Sequence, residues 1–290
     1  MSSPRVVQIV FGNDDVSHLV NVLFPSISDS SSEPVEVWAK NYSAGGLRCL
    51  PEKLGSLTIH EFVNAEGRPA GFAENHNDLF KKRSDLRPFV LLNPDCILTD
   101  KALDLLFNRF EKENFGPGII EGRQWPFEHP KEFDTVSLET PWASGAFCLI
   151  NANFYESVGG MDESYFMYLE DVDLSWRSWL AGYPVIYEQN ATAIHFSGGP
   201  FYRSDVRPSE EYYSLRNFIA INYKFFGITG EENAIKIVKD QYTNLGHAVN
   251  MAISDYKFDL RNRMTPLALE VSHPKIKVLG LNQFHKLRHE

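Results

Sequence analysis

The feature that most constrains this chain is an alternation. Short apolar runs bounded by turn formers recur across the first two thirds: Val6 to Phe11, Val35 to Ala39, Leu57 to Phe62, Phe89 to Leu92, Ala146 to Ile150 and Val185 to Tyr187. Runs of that length and composition read as strands. Between them lie stretches with helical spacing, Val16 to Phe24, Phe72 to Lys82, Lys101 to Lys112 and Ala152 to Val158, the last with Asn151 or Asn153 placed to cap it. Strand alternating with helix predicts an α/β domain, a mostly parallel sheet covered by helices on both faces.

From Ser209 the texture changes. SEEYYSLRNFIAINYKFFG and EENAIKIVKDQYTNLGHAVNMAISDY carry apolar residues three and four apart, predicting two helices, with Ser209 as a start and Gly227 as a stop. The expected division is a sheet domain over 1–208 and a C-terminal helical extension over 209–290, within the size of one large or two modest cores. Ser26 to Pro34 reads as a surface loop. Phe115 to Thr140 shows little periodicity and predicts a long excursion of the kind that borders active sites.

Charge narrows the partners. The net charge of −10 argues against nonspecific nucleic-acid binding, which needs a basic face. The deficit is uneven: from Lys257 to Glu290 seven Lys/Arg face three Asp/Glu, which leaves −14 on residues 1–256. That basic stretch suits a peripheral contact with an anionic membrane surface, at about 1 kcal/mol per well-placed charge, a solvated face, or a contact in a homo-oligomer. Cys49, Cys96 and Cys148 lie far apart, so neither a disulfide framework nor a thiolate zinc site is expected. No leader and no window of ~20 apolar residues is seen, and a cytoplasmic protein is expected, soluble or peripheral at the inner face of the membrane.

Three segments carry chemistry. In FVLLNPDC an apolar strand ends in polar atoms; strand carboxyl ends are where open α/β sheets bind ligands, and Asp95 there could hold a cation bridging two phosphates or merely cap the next helix. Downstream, five carboxylates, Asp162, Glu163, Glu170, Asp171 and Asp173, fall within twelve residues. With Tyr168 to Leu180 helical, Glu170 and Asp171 sit in the first turn and Asp173 pairs with Arg177; crowding the two carboxyls separates their pKa values and makes a base, whereas the plain alternative is a solvated acidic helix start. Third, His195 leaves a strand into the Gly198-Gly199 turn, where it is either structural or a ligand. No second histidine stands at zinc spacing, so Asp plus His would suit Mn2+ or Mg2+.

The order LLNPD, SGAFCLI, VGGMDESYFMYLEDVDLSWRSWLAGY, IHFSGG resembles the inverting glycosyltransferase family 2, above all its rhamnosyltransferase-like bacterial members, over roughly residues 5–227. The resemblance implies a GT-A fold (a Rossmann-like, mostly parallel sheet), a nucleotide-sugar donor and a divalent metal. It places Asp95 at metal and diphosphate, with Asn93 beside it, and His195 at the metal. Asp171 matches the base that deprotonates an acceptor hydroxyl, with Glu170 holding the acceptor. Gly145 stands at the small position beside the donor, and Gly71, Phe72 and Asn77 match a GFAxxxN pattern near the nucleotide. Asn41 and Ser43 are kept in the base-contacting segment, but Lys40 stands in its Asp place and Pro69 replaces an Asn. Asn13 approximates an early Asn of the family. Trp142, Tyr212 and Arg216 are expected at the acceptor, Tyr212 and Arg216 with packing onto the sheet domain as the alternative reading.

The function expected is therefore metal-dependent transfer of a sugar, L-rhamnose from dTDP-rhamnose as first choice, to a hydroxyl of a glycan or lipid-linked glycan. UDP-linked hexoses, N-acetylhexosamines and galactofuranose share the scaffold. A catalytically inactive carbohydrate-binding or assembly module is the alternative, motivated by Lys40. A nucleotidyltransferase would want a basic Gly-rich loop where FGNDDVSH is acidic, and adjacent Glu170 and Asp171 cannot flank a bond as a glycosidase pair does.

Overall fold

The structure, a computed structural model, describes residues 3–43, 45, 47–64, 67–126, 128–129, 131–195, 207–267 and 273–277. Its described strands are β1 (Arg5–Phe11), β2 (Val35–Asn41), β3 (Lys53–Leu54), β4 (Leu57–Val63), β5 (Phe89–Leu92), β6 (Cys96–Leu98), β7 (Ile119–Trp125), β8 (Phe147–Ile150) and β9 (Val185–His195). The helices are α1 (Val16–His18), α2 (Phe24–Asp29), α3 (Phe72–Lys82), α4 (Ala102–Lys112), α5 (Ala152–Ser157), α6 (Glu170–Leu180), α7 (Arg207–Gln241), α8 (Gly246–Asp255) and α9 (Arg261–Arg263).

The strands form one sheet in the order β3-β4-β2-β1-β5-β8-β7-β9-β6. β4, β2, β1 and β5 run parallel, and β1 is buried along its whole length, Gln8 included, as its mostly apolar run requires of a strand covered on both faces. The chain steps to one side of β1 for β2 and to the other for β5, which makes a topological switch point at their carboxyl ends. β8 runs antiparallel to β5 and to β7, while β9 is parallel to β7, so the start of β8 and the ends of β5 and β9 meet on one edge.

Three apolar clusters hold this arrangement. One lies between the sheet and α2 and α4, with Val7, Ile9, Val37 and Leu103 fully buried; another covers the opposite face with Val6, Leu91, Phe154 and Val185. The third joins Trp142, Tyr165 and Trp176 to Phe218, Ile219 and Tyr256, so the C-terminal helices dock against the acidic helix itself. Each fully buried side chain of that size contributes about 1.5–3 kcal/mol of transfer free energy.

Every expected strand is present. The excursion expected over Phe115 to Thr140 is corrected, because β7 lies inside it; its apolar signal is broken by Glu121 and Gln124, which are buried all the same. β6 is too short to register, and β9 continues to His195. α6 starts at Glu170 rather than Tyr168, since Tyr168 and Leu169 are left-handed. Asn151 caps α5, accepting from the N–H groups of Asn153 and Phe154. The expected stop at Gly227 is a break in α7 (φ 65°, ψ −152°), and the second expected helix is divided by a 3-10 turn at Thr243–Leu245. The Gly198-Gly199 turn and much of the basic stretch after Lys257 lie outside the described residues. Among those described, no helix is long and apolar enough to cross a membrane.

Candidate active site

Where β5 leaves the core, Asn93 donates its backbone N–H to Ala146 O at 2.9 Å, and two residues on Asp95 carries a side chain that is 37% exposed. β6 and β9 pair Cys96 with His195 in register, which sets the imidazole over the Asp95 carboxylate. His195 Nδ1 stands 2.9 Å from Gln124 Oε1; an amide oxygen only accepts, so Nδ1 carries a proton. Nε2 then faces Asp95 Oδ1 at 3.3 Å, with Asn93 Nδ2 3.4 Å away. Burial pushes the Asp95 carboxyl up, but its contact with His195 outweighs this and holds it below the usual carboxylate range.

Ligand atoms of Asp95, Cys96 and His195 all lie within 4.8 Å of one another. A carboxylate oxygen and an imidazole nitrogen oriented by a second residue fit a divalent cation such as Mn2+ or Mg2+. Cys96 does not fit it: burial pushes its thiol well up, and Sγ is turned toward Ala146 O at 3.8 Å. Hard cations prefer oxygen to sulfur in any case.

The carboxylate pair sits one residue from this cluster. Gly145 N–H donates to Asp171 Oδ2 at 3.0 Å, and Ala146, next in the chain, accepts from Asn93. Val172 N–H donates to Asp171 Oδ1 at 2.8 Å. Burial raises the Asp171 carboxyl, restrained by those two N–H groups and by the charge of Lys131. Glu170 is pushed well above the carboxylate range, by burial first and then by Asp171, and its Oε2 is buried without a partner among the described residues. Both carboxyls are raised, Glu170 the further, so Asp171 is the first of the two to ionise as pH rises.

The backbone that delivers them is strained. Phe166, Tyr168 and Leu169 all have positive φ (66°, 68° and 69°), a conformation costing about 1–3 kcal/mol per residue. Phe166 centres a γ-turn, with Met167 N–H donating to Tyr165 O at 2.9 Å. Its own carbonyl accepts from Phe72 N–H at 2.7 Å. Gly71 permits that approach, for a Cβ there would lie 2.2 Å from Phe166 O. Gly145 is likewise hemmed in, by the Phe72 ring and by Asp171 Cβ.

At the ends of β1 and β2, Asn41 Nδ2 donates to Asn13 Oδ1 at 2.8 Å, Ser43 N–H donates to Asn41 Oδ1 at 3.0 Å, and Asn13 N–H donates to Ser43 Oγ at 2.9 Å. These residues close the ends of β1 and β2. Lys40 is buried and pairs with Asp78 of α3 at 2.6 Å, so its charge is answered within the fold.

Four residues expected at the donor or the acceptor have partners within the fold. Asn77 has both its amide groups filled: Oδ1 accepts from Tyr155 OH and Met161 N–H, and Nδ2 donates to Met161 O and Glu163 Oε1. It ties α3 to the loop before α6 and has no hydrogen-bonding capacity left for a donor. Arg216 is buried, with Nη2 on Tyr165 O and Nε on Asn217 Oδ1, which favours the packing alternative. Tyr212 bonds Asp255 Oδ2 at 2.5 Å. Trp142 is 2% exposed, with Lys131 Nζ 3.9 Å above its ring.

Three residues near the carboxylates escape sequence reasoning. Lys131 Nζ donates to Glu121 Oε1 at 2.5 Å and to Trp142 O at 2.8 Å, and Glu121 Oε1 also accepts from Ser144 N–H at 2.9 Å. This buried pair braces the turn that offers Gly145 to Asp171. Glu121 and Gln124, three apart, line the same cavity because β7 is irregular between Gly122 and Arg123. Their only trace in the sequence is polar residues inside an apolar run.

No family model matches the chain. Over 54 residues it is 44% identical to N-acetylglucosaminyl-diphospho-decaprenol L-rhamnosyltransferase of Mycobacterium tuberculosis, covering 19% of this chain and 18% of that one. Over 68 residues it is 38% identical to rhamnosyltransferase WbbL of Escherichia coli, covering 23% and 26%. The matches span about a fifth to a quarter of these relatives' length. Among solved structures, the mannosyltransferase PcManGT from Pyrobaculum calidifontis in complex with GDP-Man and Mn2+ superposes with a TM-score of 0.58 at 11% identity, over 89% of this chain and 88% of that one. GalNAc-T7 with UDP, GalNAc and Mn2+ does so with a TM-score of 0.52 at 14% identity, over 74% and 50%. These superpositions bear out the expected GT-A fold, and over the two short stretches the chain is similar to rhamnosyltransferases.

Proposed function

We propose that this chain is an inverting, metal-dependent glycosyltransferase that moves a sugar, L-rhamnose from dTDP-rhamnose as first choice, to a hydroxyl of a glycan or lipid-linked glycan. The observation that carries this reading is the split carboxyl pair joined, through Gly145 and Ala146, to the Asp95–His195 cluster. Asp171, ionised and fixed by two backbone N–H groups, accepts the proton of the incoming hydroxyl as its oxygen bonds to the anomeric carbon. The bond from that carbon to the diphosphate breaks on the opposite face, so configuration inverts. Glu170, protonated, donates a hydrogen bond to the acceptor. Asp95 and His195 would hold Mn2+ or Mg2+, whose charge would stabilise the departing diphosphate. No general acid is needed at so good a leaving group.

The donor side falls to Asn13, Asn41 and Ser43 at the switch point and to the Gly71-Phe72 start of α3. The Lys40–Asp78 pair gives Lys40 a role within the fold, and the case against an inactive module rests on Asp95, Glu170, Asp171 and His195 all being present. The partial matches to two rhamnosyltransferases support the rhamnosyl donor.

The test is a thermal-shift panel of dTDP-, UDP- and GDP-sugars with Mn2+ and with Mg2+. The largest metal-dependent rise in Tm is expected with dTDP-rhamnose; a larger rise with another sugar replaces the donor, and no rise with any overturns the reading.

A further inference from the structure

We propose that Asn217 of α7 is a positioning residue for the base: its amide holds the left-handed loop from which Glu170 and Asp171 emerge. This rests on Asp171 being the base, as proposed above, and adds a duty for the helical extension.

The geometry is specific to this loop. Asn217 Nδ2 lies 3.1 Å from Tyr165 O, 2.7 Å from Met167 O and 2.8 Å from Tyr168 O. The two N–H bonds of one amide are thus shared among three carbonyls from four consecutive residues, the two shortest contacts going to Met167 O and Tyr168 O in the left-handed stretch. Asn217 Oδ1 accepts from Arg216 Nε at 3.0 Å, which fixes the amide's orientation, and Arg216 Nη2 adds a second donor to Tyr165 O at 2.6 Å. Asn217 itself is fully buried.

The opposite side of the loop is held by the sheet domain. Phe166 O accepts from Phe72 N–H of α3, while on the α7 side the Phe166 ring stacks on Tyr213 with centroids 5.2 Å apart. The loop is therefore gripped between the start of α3, on the donor side, and α7. At its end, Leu169 O accepts the first helical bond of α6 from Asp173 N–H at 2.9 Å. A loop let go on the α7 side would relax toward ordinary backbone and swing the first turn of α6, moving Asp171 off Gly145 N–H. Displacement of a reacting group by about 1 Å costs on the order of a hundredfold in rate.

The test combines Asn217→Ala, Asn217→Ser and the double variant Asn217→Ala with Tyr168→Gly, each assayed for transfer and by hydrogen exchange. In Asn217→Ala, kcat should fall roughly 10- to 100-fold while the donor KM stays within about twofold, with faster exchange confined to residues 165–172. Glycine at 168 adopts positive φ without strain, so the double variant should regain a good part of the lost kcat. Should Asn217→Ala not fold, Asn217→Ser gives the same readouts from a milder change. A wild-type kcat, or exchange quickened throughout the sheet, overturns the proposal. If the wild-type chain transfers no sugar, the glycosyltransferase reading fails instead, and the exchange pattern alone decides the role of Asn217.

Discussion

The half of the sheet from β1 to β5 and the half from β7 to β9 are built by different means. In the first, apolar burial dominates, with Val7, Ile9, Val37 and Val90 fully buried; its buried cations Lys40 and Arg83 pair with the partly exposed carboxylates of Asp78 and Asp85 (34% and 32%), and Arg87–Glu36 and Arg68–Glu74 are partly exposed at both ends. In the second, charges are buried: Lys131 on Glu121, and Lys224 on both Asp162 (2.7 Å) and Asp173 (2.5 Å), with Arg177 Nε on Asp173 at 2.6 Å. Binding a nucleotide asks mainly for amides and backbone at strand ends. Moving a proton asks for a carboxylate held where water would not hold it, and the surrounding charges must be balanced one by one.

Asp171→Asn should separate the halves most sharply. It removes a base without touching Asp95 or His195, so transfer should fall about 100- to 10,000-fold while calorimetric donor affinity stays near wild type. Near-normal turnover would move the base elsewhere. In the wild type, burial raises the Asp171 carboxyl, so activity should appear only as pH rises through that elevated value, on an acid limb above the usual Asp range. A pH–rate profile that is flat down to pH 4 would contradict this.

Lys224→Met comes next and reads stability rather than rate. It strands Asp173, whose side chain is wholly buried, with Arg177 and the Tyr165 hydroxyl, and leaves Asp162 without its cation. Breaking one partner of a buried pair costs about 3–5 kcal/mol, visible as a fall in Tm of roughly 10 °C or more. A fall of one or two degrees would mean that the second half relies on its apolar cluster after all.

The same contrast governs what could be read in advance. β1, β2, β4 and β5 were legible because apolar residues dominate their buried positions, with Gln8, Lys40 and Glu61 too scattered to hide the pattern. β7 was not, because Glu121 and Gln124 serve the site from inside it and an irregularity in register puts both in one cavity. The carboxylate pair and His195 could be named from motif order. That Gln124 orients His195, that Asn77 is a tie and not a donor contact, and that α7 grips the loop before α6 all depend on long-range juxtaposition, which periodicity does not encode. The left-handed residues gave no signal either: Phe, Tyr and Leu are poor choices for positive φ, and the chain tolerates them there because hydrogen bonds from two helices over-determine the loop.

Glu170→Gln should produce a smaller effect with a characteristic pH dependence. Folding raises the Glu170 carboxyl, so its contribution to stability is fully present below its unfolded value near 4.3 and is lost as pH climbs toward the folded value. A neutral amide does not titrate. The Tm difference, variant minus wild type, should therefore shift in the variant's favour by several degrees between pH 4 and pH 9. A difference that is constant across that range would show that Glu170 is ionised in the folded chain, and the division of roles between the two carboxyls would fall.

The weakest expected effect sharpens the comparison from the other side. Arg68 and Glu74 form an ion pair beside the Gly71 turn, with side chains 58% and 26% exposed. Solvent and salt screen such a pair, and ordering two long side chains offsets much of the attraction, so Arg68→Ala should cost no more than about 1 kcal/mol. The backbone of Arg68 keeps its own duty, since Arg68 O accepts from Asn64 Nδ2 at 2.7 Å whatever the side chain is. Tm should fall by no more than about 2–4 °C, less in high salt, and donor KM should not move. If instead the loss matched that of Lys224→Met and resisted salt, charge would matter as much in the nucleotide half as in the catalytic one, and the distinction between an apolar half and an ion-paired half would not hold.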